Sequence, residues 1–395
     1  MPRKDGSPLQ AELRGSLAFE LLIGLYALLT PTQQTDGWVP PLERCPARVR
    51  RAAAAVGTSS GELWLHLLGV PLESGASSAD ELVDAVAAVE PAELRRHIFG
   101  VHVPAWQSLV GAERLEAAAA GSQAAVDELL RHDRYYGGRA HESLELLARL
   151  SPAQTKRRVL AVLRSFATDV LAARARPVAT AIGAEIAAQQ PLVGRLDAPS
   201  LVSALARGYA YEPETEATRV VLVPHAAATP WLLLCQHRDA RIICYPLGAG
   251  AAGEDALQEQ TVELGRALSE PARVAILRRL TGGEASLGEV ARIAGVAKST
   301  AHHHLAQLRA AGLVEVRGNA RAYVYALAPG GLDGAVELLR RLGVNDAAEA
   351  AEGPRSGPRP AAPGLSGCRR RARAPVASAR SIGRTHLRSG GASVR

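Results

Sequence analysis

Apolar residues recur every three or four positions over most of the first 210 residues, the period of helices that pack on a core. Most of the predicted segments are short and are bounded by Gly, Pro or Ser. The first, residues 9–30, contains the most apolar run, Leu17–Leu29. That run has 13 residues and includes Glu20, whereas a membrane span needs about 20 apolar residues. We therefore predict a mostly helical N-terminal domain without a membrane anchor.

The period changes after residue 210. Residues 219–224, 231–235 and 241–245 are short apolar runs separated by turn residues, which is typical of strands, and the last two form a predicted hairpin around Arg238-Asp239. These runs predict a small antiparallel sheet that closes an N-terminal domain of residues 1–246.

Cys235 and Cys244 would be diagonal neighbours in such a hairpin. Diagonal neighbours lie about 7–8 Å apart, at or beyond the reach of a disulfide. The spacing favours two buried thiols and leaves a redox role undecided.

The remaining chain divides into three parts. Residues 247–255 are Gly-rich and predict a linker. Over residues 256–342 the pattern predicts helices, a tight turn at Gly295 and a strand pair with Gly318-Asn319 at its tip, which together indicate a winged helix-turn-helix. Residues 343–395 lack apolar periodicity and predict a disordered basic tail. The predicted fold class is mainly α with small antiparallel β.

Charge is distributed unevenly along the chain. Residues 351–395 hold ten Arg and one acid, net +9, whereas residues 1–350 hold 36 basic and 38 acidic residues, net −2. Within that near-neutral body, residues 271–325 carry eight basic residues against three acids, net +5. One local basic patch is typical of a site-specific nucleic-acid binder. Four cysteines in 395 residues do not form a disulfide framework and fit a reducing cytoplasm.

A helical wheel assigns roles along the fourth helix of the winged segment, which starts near Ala297. Ala301, Leu305 and Leu308 form an apolar sector that should pack on the domain, with His304 beside it. The opposite side, which includes Ala306, is polar or small, and such a side suits a DNA major groove. We predict base contacts from Ser299, His302 and His303, phosphate contacts from Lys298 and Thr300, a flanking contact from Arg309, and wing contacts from Arg317, Asn319 and Arg321.

The chain contains no nucleophile elbow, P-loop or dinucleotide fingerprint, so no enzyme and no cofactor is predicted. The run His302-His303-His304 cannot chelate one ion, because neighbouring helical residues point about 100° apart.

Four segments follow one another in a recognisable order: Leu268–Leu277 (LSEPARVAIL), Ser299–Leu305 (STAHHHL), Leu308–Val314 (LRAAGLV) and Tyr323–Tyr325 (YVY). With them, residues 257–342 resemble the winged helix-turn-helix of the ArsR (arsenical-resistance repressor) family of bacterial regulators. The resemblance implies a homodimer built from the outer helices, a two-fold operator in double-stranded DNA and, usually, repression. Residues 1–246 are similar in layout to an uncharacterised N-terminal extension on some actinobacterial regulators of this type.

Two segments depart from the metal-sensing members of that family. The third helix, Ala285–Val290, has no Cys, and the last helix, Ala335–Arg341, has no His. Zinc sites need three or four ligands brought together. Metal binding at the usual family sites is therefore not expected.

Two functions stay open on the sequence. One is a cytoplasmic, nucleoid-associated, dimeric regulator whose N-terminal domain adds dimer contacts or binds a small-molecule effector that shifts the population competent for DNA. The other is a winged-helix module that docks a partner protein. The polar outward face and the +5 segment favour DNA.

Overall fold

The computed structural model describes residues 8–30, 37–132, 135–138, 141–247, 254–318 and 323–351. Within these ranges the chain is mainly helical, as predicted, and no helix is both long and apolar enough to cross a membrane. The helices before residue 210 are α1 (Leu17–Leu28), α2 (Ala47–Ala54), α3 (Glu62–His66), α4 (Gly69–Ser74), α5 (Ala79–Ala88), α6 (Pro91–Ile98), α7 (Pro104–Val110), α8 (Ala112–Ala120), α9 (Gln123–Leu130), α10 (His141–Ala148), α11 (Pro152–Phe166), α12 (Ala175–Gln189) and α13 (Ala198–Leu205). The later helices are α14 (Glu254–Leu268), α15 (Pro271–Leu280), α16 (Leu287–Ala294), α17 (Lys298–Ala310) and α18 (Gly331–Ala351).

Seven strands form two sheets in the described part of the chain. They are β1 (Gln10–Leu13), β2 (Tyr209–Tyr211), β3 (Arg219–His225), β4 (Leu233–His237), β5 (Ala240–Pro246), β6 (Val314–Gly318) and β7 (Tyr323–Leu327). The larger sheet has the order β1-β3-β5-β4, and its β1–β3 and β3–β5 pairs are parallel. Only β4–β5, the predicted hairpin, is antiparallel. The prediction of an antiparallel sheet is therefore wrong for β3, which pairs in parallel with β5 and also with β1, a strand that was not predicted.

The central strands of this sheet are buried on both faces. In β3, Val221 and Val223 belong to the core of the N-terminal helices, while Val220 and Leu222 belong to a second core shared with the winged segment. Continuous apolar runs, rather than alternating ones, are typical of parallel strands covered on both sides. The apolar run at 219–224 is continuous and therefore indicates such a parallel strand.

The predicted helix over residues 9–30 is wrong at its start. Gln10–Leu13 is an edge strand paired with residues 219–222, and Leu9, Ala11 and Leu13 pack on the second core with the period of two that a strand requires. Helix α1 begins at Leu17 and buries ten of its 12 residues. Its position in the interior explains the long apolar run.

The cysteines of the β4–β5 hairpin are free thiols. Cys235 pairs with Ile242 and Leu233 pairs with Cys244, so the two cysteines are diagonal neighbours as expected. A hydrogen bond with Cys235, together with burial, raises the pKa of Cys244 well above its usual range. Cys244 is therefore a protonated thiol at neutral pH.

Segments from both sides of the predicted linker share the second core. Helix α13 and strand β2 pack with α14–α17, and β2 runs parallel to β6, so the wing sheet has the order β2-β6-β7. Residues 248–253 of the linker lie outside the described residues, and α14 begins at Glu254. The boundaries at 246 and 256 stay predictions. Residues 343–351 of the predicted tail continue α18, and 352–395 lie outside the described residues.

Candidate nucleic-acid interface

The helix-turn-helix is built by α16, a tight turn and α17. Ser286 opens α16 with a capping box: its Oγ accepts from the Glu289 N–H at 3.3 Å, and the Glu289 carboxylate accepts from the Ser286 N–H at 2.8 Å. Gly295 ends the helix at φ 66°, a left-handed conformation that favours glycine. The chain then turns sharply into α17, as the sequence predicts.

The inward side of α17 agrees with the helical wheel. Ala301, Leu305 and Leu308 are buried in the second core. His304 is also buried, its Nδ1 lies 3.6 Å from a Glu270 carboxylate oxygen, and burial lowers its pKa. His304 therefore has a structural role.

The first turn of α17 faces solvent. Lys298, Ser299 and Thr300 are exposed, and the preceding residue, Ala297, provides no side-chain cap. The first N–H groups of a helix have no partner within the helix and attract anions. A phosphate can therefore bind at this end, with Lys298 beside it.

The middle of α17 lies against the N-terminal region, residues 1–246. The Trp231 ring is 4.7 Å from the His302 ring and 6.0 Å from the His303 ring, centroid to centroid. Both histidines are half-buried. Ala306, which the wheel placed on the outward side, is 6% exposed and belongs to the core of the N-terminal helices. Part of the predicted DNA-reading side is therefore covered by the same chain.

Arg309 corrects the sequence prediction most clearly. Its side chain is buried rather than on a DNA-facing flank, and its guanidinium donates to the carbonyl oxygens of Arg207, at 2.7 Å, and Pro230. Burial lowers its pKa to about 10, so it still carries a charge at neutral pH. Arg309 joins α17 to the N-terminal region and does not reach DNA in this arrangement.

The wing carries the remaining predicted contacts. Arg317 is at the surface, but its guanidinium is paired with Glu315 and, at 2.8 Å, with Glu284. A contact from Arg317 to DNA would exchange a carboxylate for a phosphate. Asn319 and Arg321 lie outside the described residues.

A cleft of about 190 Å³ opens where the N-terminal region meets α17. Its lining includes Tyr26, Glu62, Trp231, His302, Ala306 and Tyr323. Small-molecule sites usually measure about 300–1,000 Å³. The cleft is smaller than that range, so it does not identify an effector.

In the described part of the chain, one group of side chains could hold a metal ion, and no sequence motif had predicted it. Potential ligand atoms of Glu93, His97 and His102 all lie within 4.8 Å of one another. Glu93 and His97 are four residues apart on α6, a spacing that places both on one helix face. That spacing, with another His five residues later, is the feature of the sequence that could have indicated a metal site.

Comparisons with known proteins all concern a minor part of the chain. Residues 268–317 match a family model described as a helix-turn-helix domain. The HTH-type transcriptional regulator YgaV of Escherichia coli (strain K12) is 32% identical over 85 residues, which are 21% of this chain and 86% of that protein.

Two solved structures are similar at 24% identity. NolR from Sinorhizobium fredii has a TM-score of 0.18, covering 25% of this chain and 95% of that chain. Fragment 1–100 of Mb0332 from Mycobacterium bovis has a TM-score of 0.20, covering 28% of this chain and all of that one. That fragment is described as a homodimeric winged helix-turn-helix DNA-binding domain of a possible ArsR-family regulator.

Proposed function

This chain belongs to the family of helix-turn-helix transcriptional regulators, and from that premise we propose that it is a dimeric, ArsR-like repressor whose DNA binding is opposed by its own N-terminal region. The exposed start of α17 carries the proposal. Lys298, Ser299 and Thr300 form the N-terminal turn of α17, the second helix of the helix-turn-helix. There the backbone N–H groups and the Lys298 cation can bind one phosphate. The +5 charge of residues 271–325 supports the same conclusion.

The proposed DNA contacts have different tasks. Ser299, His302 and His303 read base edges, whereas Lys298 and Thr300 bind phosphate. At the wing, Asn319 and Arg321 contact the backbone or minor groove, and Arg317 joins them once it releases a carboxylate.

Dimerisation is supported by the distribution of exposed apolar side chains. Among the described residues, every exposed large hydrophobic side chain lies between residues 262 and 342. Leu332, Val336, Leu339 and Leu342 are spaced at three and four along α18, and therefore form one uncovered apolar stripe. A stripe of this kind is expected to pack against a second copy. Sedimentation should then give twice the chain mass of 41.5 kDa.

The contact between Trp231 and His302 supports control by the N-terminal region. With His302 and His303 half-buried and Ala306 buried, α17 offers mainly its first turn to solvent. A recognition helix must enter the major groove to read bases, so DNA and the N-terminal region compete for this side of α17. A ligand that binds the open form better shifts the population towards DNA binding.

Selection of genomic fragments by the purified full-length chain tests the proposal. The enriched sequences should contain an inverted repeat with half-sites about 10–10.5 base pairs apart. Ser299→Ala and His303→Ala should relax base preference, whereas Lys298→Ala should weaken binding to all sequences and reduce the salt slope by about 1. Arg149→Ala, an exposed arginine in the N-terminal region, is the matched control and should bind as the parent does.

Absence of any enriched repeat would contradict the proposal. It would favour the second candidate, a winged-helix module that docks a protein partner. Retention of full base preference in both Ser299→Ala and His303→Ala would instead contradict the assigned base contacts.

A further inference from the structure

A cluster of buried imidazoles and partly exposed carboxylates lies in the N-terminal region, outside the proposed DNA contacts. Glu93 and His97 share one face of α6, and the chain then turns at Gly100, with φ 70°, and brings His102 back towards them. A side chain at Gly100 would collide with the Trp106 ring, 2.5 Å from its Cβ position, so this close turn favours glycine. His237, at the end of β4, adds a third imidazole from a distant part of the sequence.

The distances within the cluster are short. His102 Nε2 lies 2.7 Å from Glu93 Oε1, and His97 Nε2 lies 4.0 Å from the same oxygen. The His97 ring centroid is 4.8 Å from that of His102 and 5.3 Å from that of His237, on which it stacks. His237 Nε2 in turn lies 2.7 Å from Glu73 Oε1. Three imidazoles and two carboxylates therefore meet in one place.

These separations suit a transition-metal ion. Zinc binds imidazole nitrogen and carboxylate oxygen at about 2.0–2.2 Å, which at tetrahedral angles puts neighbouring ligand atoms roughly 3.3 Å apart. The potential ligand atoms of Glu93, His97 and His102 lie within 4.8 Å of one another. Side-chain rotations that move each atom by about 1 Å would bring them to the spacing of zinc ligands. Two His and one Glu also form a known three-ligand zinc set that keeps a fourth position open.

Hydrogen bonding alone does not account for the buried position of the His97 side chain. It is 3% exposed, and within the described ranges its Nδ1 has no hydrogen-bond partner. A buried ring nitrogen without a hydrogen-bond partner is available to bind an ion.

The neighbours of Glu93 hold its carboxylate in a suitable orientation. Arg96 donates to Glu93 Oε2 at 2.8 Å and leaves Oε1 facing the two histidines. Arg96 is itself paired with Glu116 at 2.6 Å, which offsets its charge. The Glu93 side chain is 30% exposed, so an ion can enter from solvent.

We propose that Glu93, His97 and His102 bind one divalent transition-metal ion of the zinc class, with His237 and Glu73 beside it. The site is also connected to α17 through β4 and Trp231. The Arg238 N–H donates to the His102 carbonyl at 2.7 Å, and β4 leads from His237 back to the residues just after Trp231. As an extension that rests on the proposed function, the bound ion is the effector that changes the contact between Trp231 and α17.

Zinc titration of the chelator-stripped full-length protein tests the site. We expect one equivalent of Zn²⁺ to bind per chain, and His97→Ala and His102→Ala each to lower the affinity about 100-fold or more. Glu93→Gln keeps the size and a hydrogen bond but removes the charge, and should lower the affinity in a protein that folds normally by circular dichroism. His132→Ala, a histidine outside the cluster, is the control and should bind zinc as the parent does.

X-ray absorption at the zinc edge should detect only nitrogen and oxygen ligands, near 2.0–2.1 Å. Sulfur ligands near 2.3 Å, or unchanged affinity in folded Glu93→Gln and His97→Ala, would overturn the site. Operator affinity measured with and without Zn²⁺ tests the extension. A change in the parent that is absent in Glu93→Gln supports it, whereas zinc binding without any change in operator affinity would overturn the effector role and leave the site itself intact.

Discussion

Arg309 donates from one guanidinium to carbonyl oxygens on two segments of the N-terminal region. The helical wheel assigned it to DNA because a wheel reports only the direction of a side chain from its own helix. It predicted Ala301, Leu305 and Leu308 correctly, since these residues pack within the winged segment. Burial of Arg309 depends on Arg207 and Pro230, which lie 102 and 79 positions earlier in the chain, and no local period contains that information.

Arg309→Met should lower the free energy of unfolding by about 3 kcal/mol. The substitution keeps much of the side-chain volume, but it removes two charge-assisted hydrogen bonds and leaves the buried Pro230 carbonyl and the partly buried Arg207 carbonyl without them. Urea denaturation followed by circular dichroism measures the effect. Arg292→Met, at an exposed position on α16, is the matched control and should change stability by at most about 0.5 kcal/mol.

A different result would restore the sequence-based assignment. Suppose that Arg309→Met unfolds at the parent's urea concentration but binds DNA with a salt slope smaller by about 1. Arg309 then contacts phosphate, and the DNA-bound form is not the one in which Arg309 is buried.

At the scale of elements, the proposed function makes DNA and the segment around Trp231 compete for α17. Trp231→Ala removes the ring that covers His302, so the open form should become more populated. We expect operator affinity to rise about tenfold, within the usual range of coupling between sites. Fluorescence anisotropy with labelled operator measures it.

Trp231→Phe is the control for that experiment, because it keeps an aromatic ring and should have a smaller effect. A folded Trp231→Ala protein with unchanged or weaker operator binding would mean that the Trp231 contact does not oppose DNA.

The elements themselves were predicted unevenly, for physical reasons. Helix α16 was correct because its cap at Ser286 and its end at Gly295 are local signals. The parallel pairing of β3 with β5 was missed because pairing direction is decided by which elements cover the strands. Strand β2 was missed because three residues carry little periodicity, and its partner is β6 in the wing.

At the scale of the whole molecule, acid should destabilise the fold. Burial lowers the pKa of His66 to about 4, of His97 to about 4 and of His225 to about 3. Between pH 6.5 and 4 the unfolded chain therefore binds more protons than the folded one, so stability is fully present above pH 6.5 and is lost as the pH falls. For each histidine, the loss in the free energy of unfolding reaches on the order of 3 kcal/mol once the pH falls to its folded-state pKa. Glu20 opposes this in part, because burial raises its pKa to about 7 and its contribution falls as the pH rises from 4.5.

Urea denaturation at pH 7.5, 6 and 5, with a chelator present, measures the balance. The parent should lose stability steadily on acidification, and His66→Gln should lose less, because glutamine does not titrate. Equal stability of the parent at pH 7.5 and 5 would show that these rings are not held neutral in the fold.

The pairing of β2 with β6 has a consequence for how such a regulator responds to its own abundance. Residues 209–211 are hydrogen-bonded to the wing, so Trp231 and α17 stay tethered when they separate. A tethered partner acts at an effective concentration that is typically millimolar for short connections, whatever the amount of protein in the cell. If the protein acts as proposed, dimer formation and operator occupancy would rise with protein level, whereas the fraction of chains closed by Trp231 would not. Overproduction would therefore fill more operators without reducing the inhibition of DNA binding by the Trp231 contact within each molecule.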